Sequence, residues 1–457
     1  MLSWLRKKTK AIMITVAVLF FVSMFYGLGY RGISEFKGEK SGFIKVNGRE
    51  VNPRLFTNIL QKIRENFPAR VKPSEALFIQ NLALSQTIDF AVMLDQARKT
   101  ESVSGSEING AIDEITKAQK FPSVKELRQA VEKSGITWND FKALLRDEIL
   151  VQKAVRKVRD SASVSSSDLR EVRARHILIR IKPGKEEEAK KLADKIYEKA
   201  KGGADFKKLA AQYSEDPGSK KNGGDLGFFT TGKMVKEFEN TAFSLKVSEI
   251  GAPVKTDFGY HIIKVEDIRV RKISGASDPE AAIRKEKQES AYNEWFYGLK
   301  QKAKVEIMDP ALKAMDLRFR GRIGDAVLEY QKAISKNPRN AFYRLFLGLL
   351  YEDSNKMELA IAEYKEAIKL DSSNTVLYIT LGDAYKKIGN KALAIEQFKQ
   401  ASLIAGDDKK MHEELSRTFK SLGASALVLS ELKEVSRLEK KEAFEKSLIE
   451  KNKVKTE

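Results

Sequence analysis

Apolar positions recur along this chain with changing periods, and the changes divide it. From Pro53 to Phe67 they fall at Leu55, Ile59, Leu60 and Ile63, and from Ser74 to Lys99 at Leu77, Leu82, Leu84, Ile88, Val92 and Leu94. Steps of three and four put such residues on one helix face, so both stretches are predicted helices with a buried stripe. Three more helices are predicted. One starts at Ser104, with Glu107 three residues on to complete a reciprocal cap. One starts at Ser123 and runs through Leu127 and Val131, and one at Thr137 through Phe141, Leu145, Ile149 and Val155. Ahead of them Phe43–Val46 reads as a short strand ending in the turn Asn47-Gly48.

The period becomes two at Val172–Ile179, which predicts a strand carrying His176. A helix follows from about Lys185 to Lys201. Turn-rich segments come next at Tyr213–Ser219 and Gly223–Phe229, then a short helix around Lys233 to Ala242 with Met234 and Phe238 on one face. A second strand, Gly259–Val265, carries His261. A helix from Ala281 to Lys302 with Trp295, Phe296 and Leu299 leads to a strand, Ala303–Ile307, placed to pair back with Phe43–Val46; alternatively these aromatic residues open the next domain.

Beyond Pro310 the chain repeats every 34 residues: Ala326, Ala360 and Ala394; Tyr330, Tyr364 and Phe398; Leu347, Leu381 and Leu415; Tyr351, Tyr385 and Phe419. Small residues and aromatics at this step mark stacked helix pairs, each needing a neighbour to cover its apolar face. His412, in the degenerate last repeat, reads as a surface residue without a partner, and 441–457 as helix fading into a charged, flexible tail.

Composition narrows the function. Net charge is +20 with pI near 9.6, but Lys and Glu interleave beyond residue 40, as in Lys185-Glu186-Glu187-Glu188, and there is no basic-aromatic stripe or nucleic-acid motif. The basic surface therefore reads as solvated, and nucleic acid is not an expected partner. No cysteine is present, which excludes disulfides and thiolate chemistry. Arg6, Lys7, Lys8 and Lys10 precede an uncharged apolar run, 11–30. At about 1.5 Å per residue it spans a hydrocarbon core of roughly 30 Å. The run reads as an uncleaved single-pass anchor after a cytoplasmic tail (1–10), with the bulk of the chain outside the cytoplasm; a cleaved signal is the alternative.

With these residues in place, a resemblance carries the chemistry. His-Ile-Leu at His176, Tyr-Ser-x-Asp at Tyr213–Asp216, Gly-Gly-Asp-Leu-Gly at Gly223–Gly227, Met-x-x-x-Phe at Met234–Phe238 and Thr-x-x-Gly-Tyr-His at Thr256–His261 stand in the order and spacing of the parvulin-type peptidyl-prolyl isomerases. The segment 170–270 thus resembles that family. The resemblance implies an α+β domain, an antiparallel sheet with surrounding helices. It implies catalytic His176, Asp216, His261 and Thr256, a proline slot of Leu226, Met234 and Phe238, and neither metal nor cofactor. Val46-Asn47-Gly48, Asp95-Gln96-Ala97 and Ser165–Leu169 resemble the amino-terminal chaperone domain of SurA- and PpiD-type folding factors, covering 42–169 and completed by 273–309. Residues 311–440 resemble a tetratricopeptide solenoid.

The expected fold is therefore multidomain: a membrane helix, an all-α chaperone domain, an α+β isomerase and an all-α solenoid. The expected function is isomerisation of X-Pro bonds in unfolded or newly exported polypeptides at a bacterial inner membrane, on its periplasmic side, with a protein partner in the repeat groove. The short loop Lys182-Pro183-Gly184-Lys185, followed by three Glu, argues against a phosphate-directed substrate. Other readings stay open. The isomerase fold could be an inactive clamp, or the repeats an assembly scaffold. Leu226, Met234 and Phe238 could be plain core, the two His could chiefly hold the sheet, and with Asp216 they could bind a metal. A Ser-His-Asp hydrolase is disfavoured, because no nucleophile elbow surrounds Ser214 or Ser219.

Overall fold

A computed structural model describes residues 43–68, 71–273, 276 and 278–454. The apolar run 11–30 and the tail before it lie outside the described residues. The chain forms two compact units: residues up to Gln152 together with those from Leu299 onward, and Lys153–Gly298 inserted between them.

The first unit begins with β1 (Ile44–Val46) and β2 (Arg49–Glu50), joined by Asn47 and Gly48 at φ 51° and 79°. Positive φ at both central residues is the tight-hairpin geometry that Asn-Gly favours. On its other edge β1 pairs antiparallel with β7 (Val305–Ile307), Ile44 opposite Ile307. The Asn47 side chain fixes this junction: its Oδ1 accepts from Lys304 N at 2.9 Å and its Nδ2 donates to Asp95 at 2.8 Å. The expected all-α module therefore contains a three-stranded sheet, ordered β2-β1-β7. The reason is that β1 has too few residues to stand alone and is covered by the returning strand.

Helices α1 (Pro53–Arg64), α2 (Pro73–Thr100), α3 (Gly105–Ala118), α4 (Val124–Lys133) and α5 (Trp138–Asp160) follow. Ser104 and Glu107 form the reciprocal cap of α3, Ser123 caps α4, and Thr137 Oγ1 accepts from Asp140 N at the start of α5. By length and hydropathy α2 would cross a bilayer, but half of its most apolar window is buried within the protein. Past β7, eight helices from Pro310 to Val454 stack in pairs. Tyr330, Tyr364 and Phe398 are each at most 1% exposed, so the 34-residue aromatic positions are the solenoid's core. That core is continuous with the one under β1, α1 and α2, so no break in packing falls at residue 310.

One expectation here needs correction. His412 is buried, with Nδ1 2.6 Å from the buried Glu431 and Nε2 3.0 Å from the Gly406 carbonyl. The terminal helix, which begins at Ser425, curls back to supply Glu431, a pairing that the degenerate last repeat conceals. That helix runs on through Val454.

In the second unit, β3 (Arg170–Ile179) and β6 (Gly259–Val270) are the central strands of a four-stranded antiparallel sheet, ordered β4-β3-β6-β5, with β4 at Asp225–Phe229 and β5 at Ile250–Thr256. Strand alternation gives the sheet two faces. Ile177, Ile179 and Ile262 pack on one face against Ala193 and Ile196 of α6 (Glu186–Lys201) and Leu209 of α7 (Phe206–Tyr213). Val172, Ala174, Ile263 and Val265 face the other way, toward Phe238 and Phe243 of α8 (Lys236–Ser244). His176 and His261 share that second face. The helix α9 (Pro279–Lys302) leads back to the first unit.

Candidate active site

In the β3–β6 register His176 stands opposite Ile263 and His261 opposite Leu178. The two histidines are therefore diagonal neighbours on one face, within reach of each other. Their rings lie nearly parallel with centroids 5.4 Å apart, and Nδ1 of one is 3.1 Å from Nδ1 of the other. Phe238 stands edge-on to both rings, at 5.7 and 5.4 Å.

Asp216 reaches His176 from a separate segment. Glu215 N donates to the Leu178 carbonyl and the buried Ser214 hydroxyl accepts from Leu178 N, which moors Tyr213–Asp216 alongside β3. Asp216 then opens the turn Asp216-Pro217-Gly218-Ser219, its carboxylate accepting from Gly218 N and Ser219 N at 3.3 and 3.0 Å. Oδ2 lies 3.0 Å from His176 Nε2 and also accepts from the Ser219 hydroxyl. Burial works to raise this carboxyl, but the hydrogen bonds from Ser219 and His176 and from the Gly218 N–H outweigh it and bring it down to about 2. Asp216 is therefore ionised at neutral pH.

At the other end, Thr256 Oγ1 accepts from Phe258 N at 3.1 Å and lies 2.8 Å from His261 Nε2. Burial, reinforced by neighbouring His176, holds His261 down at about 4, so it is neutral at pH 7. The hydrogen-bond network then assigns the protons. The Thr256 hydroxyl donates to His261 Nε2, which leaves the His261 proton on Nδ1, donating to His176 Nδ1. His176 keeps a proton on Nε2, facing the Asp216 carboxylate. Every polar atom in the row is used, and the row ends in a fixed negative charge.

The apolar side of the site is built by β4 and the turn before α8. Gly224 (φ 79°) lets the backbone approach β3 so closely that an added Cβ would lie 2.3 Å from the His176 carbonyl oxygen. Asp225 then clamps β4 to β3 by accepting from Arg173 at 2.7 Å and Arg175 at 2.8 Å. Leu226 and Met234 are partly exposed and pack against the cluster that contains buried Phe238. Met234 lies outside the helix expected to carry it, because α8 starts only at Lys236. Glu239 accepts from the N–H groups of Lys233 and Met234 at 2.7 and 2.8 Å, which makes those residues a turn folded over the helix start.

All seven residues singled out from the sequence thus belong to one sheet face and its rim. Ser219, which shares both His176 and Asp216, was not singled out; the Asp-Pro-Gly-Ser turn signal, with acceptor first and donor fourth, was the available clue. Among the described residues no group of three or more His, Asp or Glu side chains is arranged to hold a metal ion.

Residues 157–269 match the PPIC-type PPIASE domain family, 1–155 the SurA-like N-terminal domain family, and 348–389 and 376–408 tetratricopeptide repeat families. The foldase protein PrsA 1 of Bacillus cereus is 39% identical over 183 residues, 39% of this chain and 61% of that relative. The foldase protein PrsA of Caldanaerobacter subterraneus is 30% identical over 270 residues, 55% of this chain and 83% of that relative. A crystal structure of the peptidylprolyl isomerase PrsA from Bacillus anthracis is similar at a TM-score of 0.27 with 26% identity, over 48% of this chain and 96% of that one. The chain thus spans 61% of the first of these foldases and most of the second, and its repeats extend beyond the SurA-like and isomerase segments. Identity of 30% sustained across 83% of the Caldanaerobacter foldase makes this chain a member of the PrsA foldase family.

Proposed function

We propose that the inserted unit catalyses cis-trans rotation of X-Pro bonds and that the chain as a whole acts as a foldase on unfolded polypeptide. Rotation is opposed by about 18–20 kcal/mol of amide resonance and needs neither nucleophile nor metal. The catalyst has to bind the twisted amide better than the planar one. The observation that carries this reading is the pairing of an apolar rim, Leu226 and Met234 over Phe238, with the ionised Asp216 at the end of the histidine row. Leu226, Met234 and Phe238 grip the prolyl ring. Asp216 lies beside the substrate carbonyl, whose partial negative charge is largest in the planar amide, so a fixed anion there destabilises the ground state more than the twisted one. His176, His261 and Thr256 hold Asp216 in place and fix which atoms carry protons.

The test is the isomerisation rate of a short X-Pro peptide with the full chain. Wild type accelerates it, while Asp216→Ala and Met234→Ala lose most of the acceleration and keep the fold. No acceleration by wild type would make the unit a binding clamp.

The repeats are read as the surface for a protein partner, on the basis of a cavity of about 940 Å³ beside the solenoid helices, lined by Arg318, Asp383, Lys386 and the Pro73 turn. The uncharged run 11–30 after four basic residues supports a single-pass anchor with the bulk of the chain outside the cytoplasm.

A further inference from the structure

The helical module of the first unit contains a divided cleft with no assigned role. Two cavities of about 230 and 260 Å³ lie between α1, α2 and the first half of α5, and they share two lining residues, Phe90 and Glu148. Leu55, Leu94 and Leu144 line the first chamber, and Ile59 is in the second. Charged residues stand among these apolar ones, Arg49 and Arg98 in the first chamber and Lys62 and Asp89 in the second, and the carboxylates are not equivalent. Asp95 is fully engaged, with Asn47 at 2.8 Å, Lys99 at 2.7 Å and Arg49 at 3.5 Å. Asp147 is held by Arg98 at 2.9 Å.

Glu148, at the seam between the chambers, differs. It accepts from Gln152 Nε2 at 2.9 Å, and among the described residues no cation stands within ion-pair distance of it. Burial pushes its carboxyl up from its ordinary value, and the hydrogen bond from Gln152 and the charge of Lys62, in the wall of the second chamber, offset this only in part. This anionic seam sits in a chain of net charge +20, so it does not reflect the average surface.

We propose that this cleft is a client-binding site for extended polypeptide in which a Lys or Arg stands between apolar residues. With the apolar residues two positions either side of the cation, all three side chains share one face of the extended chain: the apolar ones fill the two chambers and the cation pairs with Glu148 at the seam. Chamber volumes of this order accept one large aliphatic or aromatic side chain each, and a Lys or Arg laid across Phe90 buries its stem on the ring while its head reaches the carboxylate. The assignment rests on the foldase reading, but it concerns a site separate from the isomerase residues and a ligand that needs no proline.

The test uses the full chain and dansylated, proline-free peptides with a Leu-Ser-Lys-Ser-Leu centre, compared with Leu-Ser-Glu-Ser-Leu and Ser-Ser-Lys-Ser-Ser centres. The Lys peptide is expected to bind, and both controls to bind about tenfold or more weakly, the range of a desolvated charged contact. Glu148→Gln should remove the preference for Lys over Glu. Phe90→Ala should weaken the Lys and Glu peptides alike. Glu148→Gln should fold with an unchanged or higher denaturation midpoint, since it removes a charge that burial disfavours and keeps a side chain of the same shape. Equal binding of the Lys and Glu peptides, or Glu148→Gln binding the Lys peptide as wild type does, would overturn the proposal. X-Pro isomerisation measured on the same samples separates the two readings. Wild-type protein that prefers the Lys peptide yet isomerises nothing leaves the cleft standing and removes the enzyme.

Discussion

Asp216 and Asn have nearly the same shape, so Asp216→Asn isolates charge from packing. With its oxygen in the place of Oδ2 the amide still accepts from the Ser219 hydroxyl and N–H, but its NH2 then faces the Gly218 N–H, and the fixed anion beside the substrate carbonyl is gone. Isomerisation is expected to fall about tenfold or more, with a loss of stability of about 1–2 kcal/mol that leaves the unit folded. Phe238→Ala should do the reverse first: at 3% exposure it supports both imidazoles, and its loss costs about 3–5 kcal/mol of stability, read as the denaturant midpoint of the isomerase unit. His261 adds a pH dependence. Its folded value of about 4 lies below the ordinary 6.5, so between these values the unfolded chain takes up a proton that the folded one does not. Stability is therefore full above about pH 6.5 and falls as pH drops toward 4, by about 3 kcal/mol at the limit. Asp216 extends the loss below pH 3.8 toward 2, and a pH series of unfolding curves measures both. The two His and Asp216 were legible because each sits in a motif with fixed spacing. Ser219 was not, because its role comes from a turn that folds back on Asp216.

At the scale of elements, the repeats show what a period can and cannot disclose. The step of 34 residues locates Tyr364 and Phe398, and it also relates Gly348 to Gly382, each in a Leu-Gly-x-x-Tyr stretch of the repeat pattern that was not singled out above. An added Cβ at Gly348 would lie 2.4 Å from the Tyr364 ring and one at Gly382 2.7 Å from the Phe398 ring. Both glycines are helical, so alanine would improve propensity by about 1 kcal/mol while forcing a buried ring to move. Steric conflict dominates here. Gly348→Ala and Gly382→Ala should each destabilise the first unit by about 1–3 kcal/mol in chemical denaturation. Helix starts were legible wherever a side chain closes on the backbone within three residues, as at Ser104 and Ser123. The start of α8 was not, since Glu239 caps it from inside the helix and leaves Met234 in a turn. The Asn47-Gly48 turn was readable, but the reach of Asn47 to Lys304 across more than 250 residues depends on tertiary structure alone.

For the whole molecule, the core of β1, α1 and α2 runs on into the repeats, while α3 to α5 keep a separate cluster around Ile108, Leu127 and Phe141 and the inserted unit has cores of its own. Apolar periodicity reports which face of a helix is buried and says nothing of what buries it, so this sharing could not be read from the pattern. Two melting transitions are expected, one for Lys153–Gly298 and one for everything else described; Gly348→Ala should shift only the second and Phe238→Ala only the first.

The pairing of Ile44 with Ile307 also sets an order of events as the chain is made. A ribosome releases the opening hairpin long before the strand that must lie beside it, whereas the isomerase is contiguous and can close as soon as α9 has emerged. The catalyst of proline rotation is thus finished while the module around it is still waiting for its second half. Pro310 and Pro338 are among the residues still to come, which gives this foldase the chance to act first on itself.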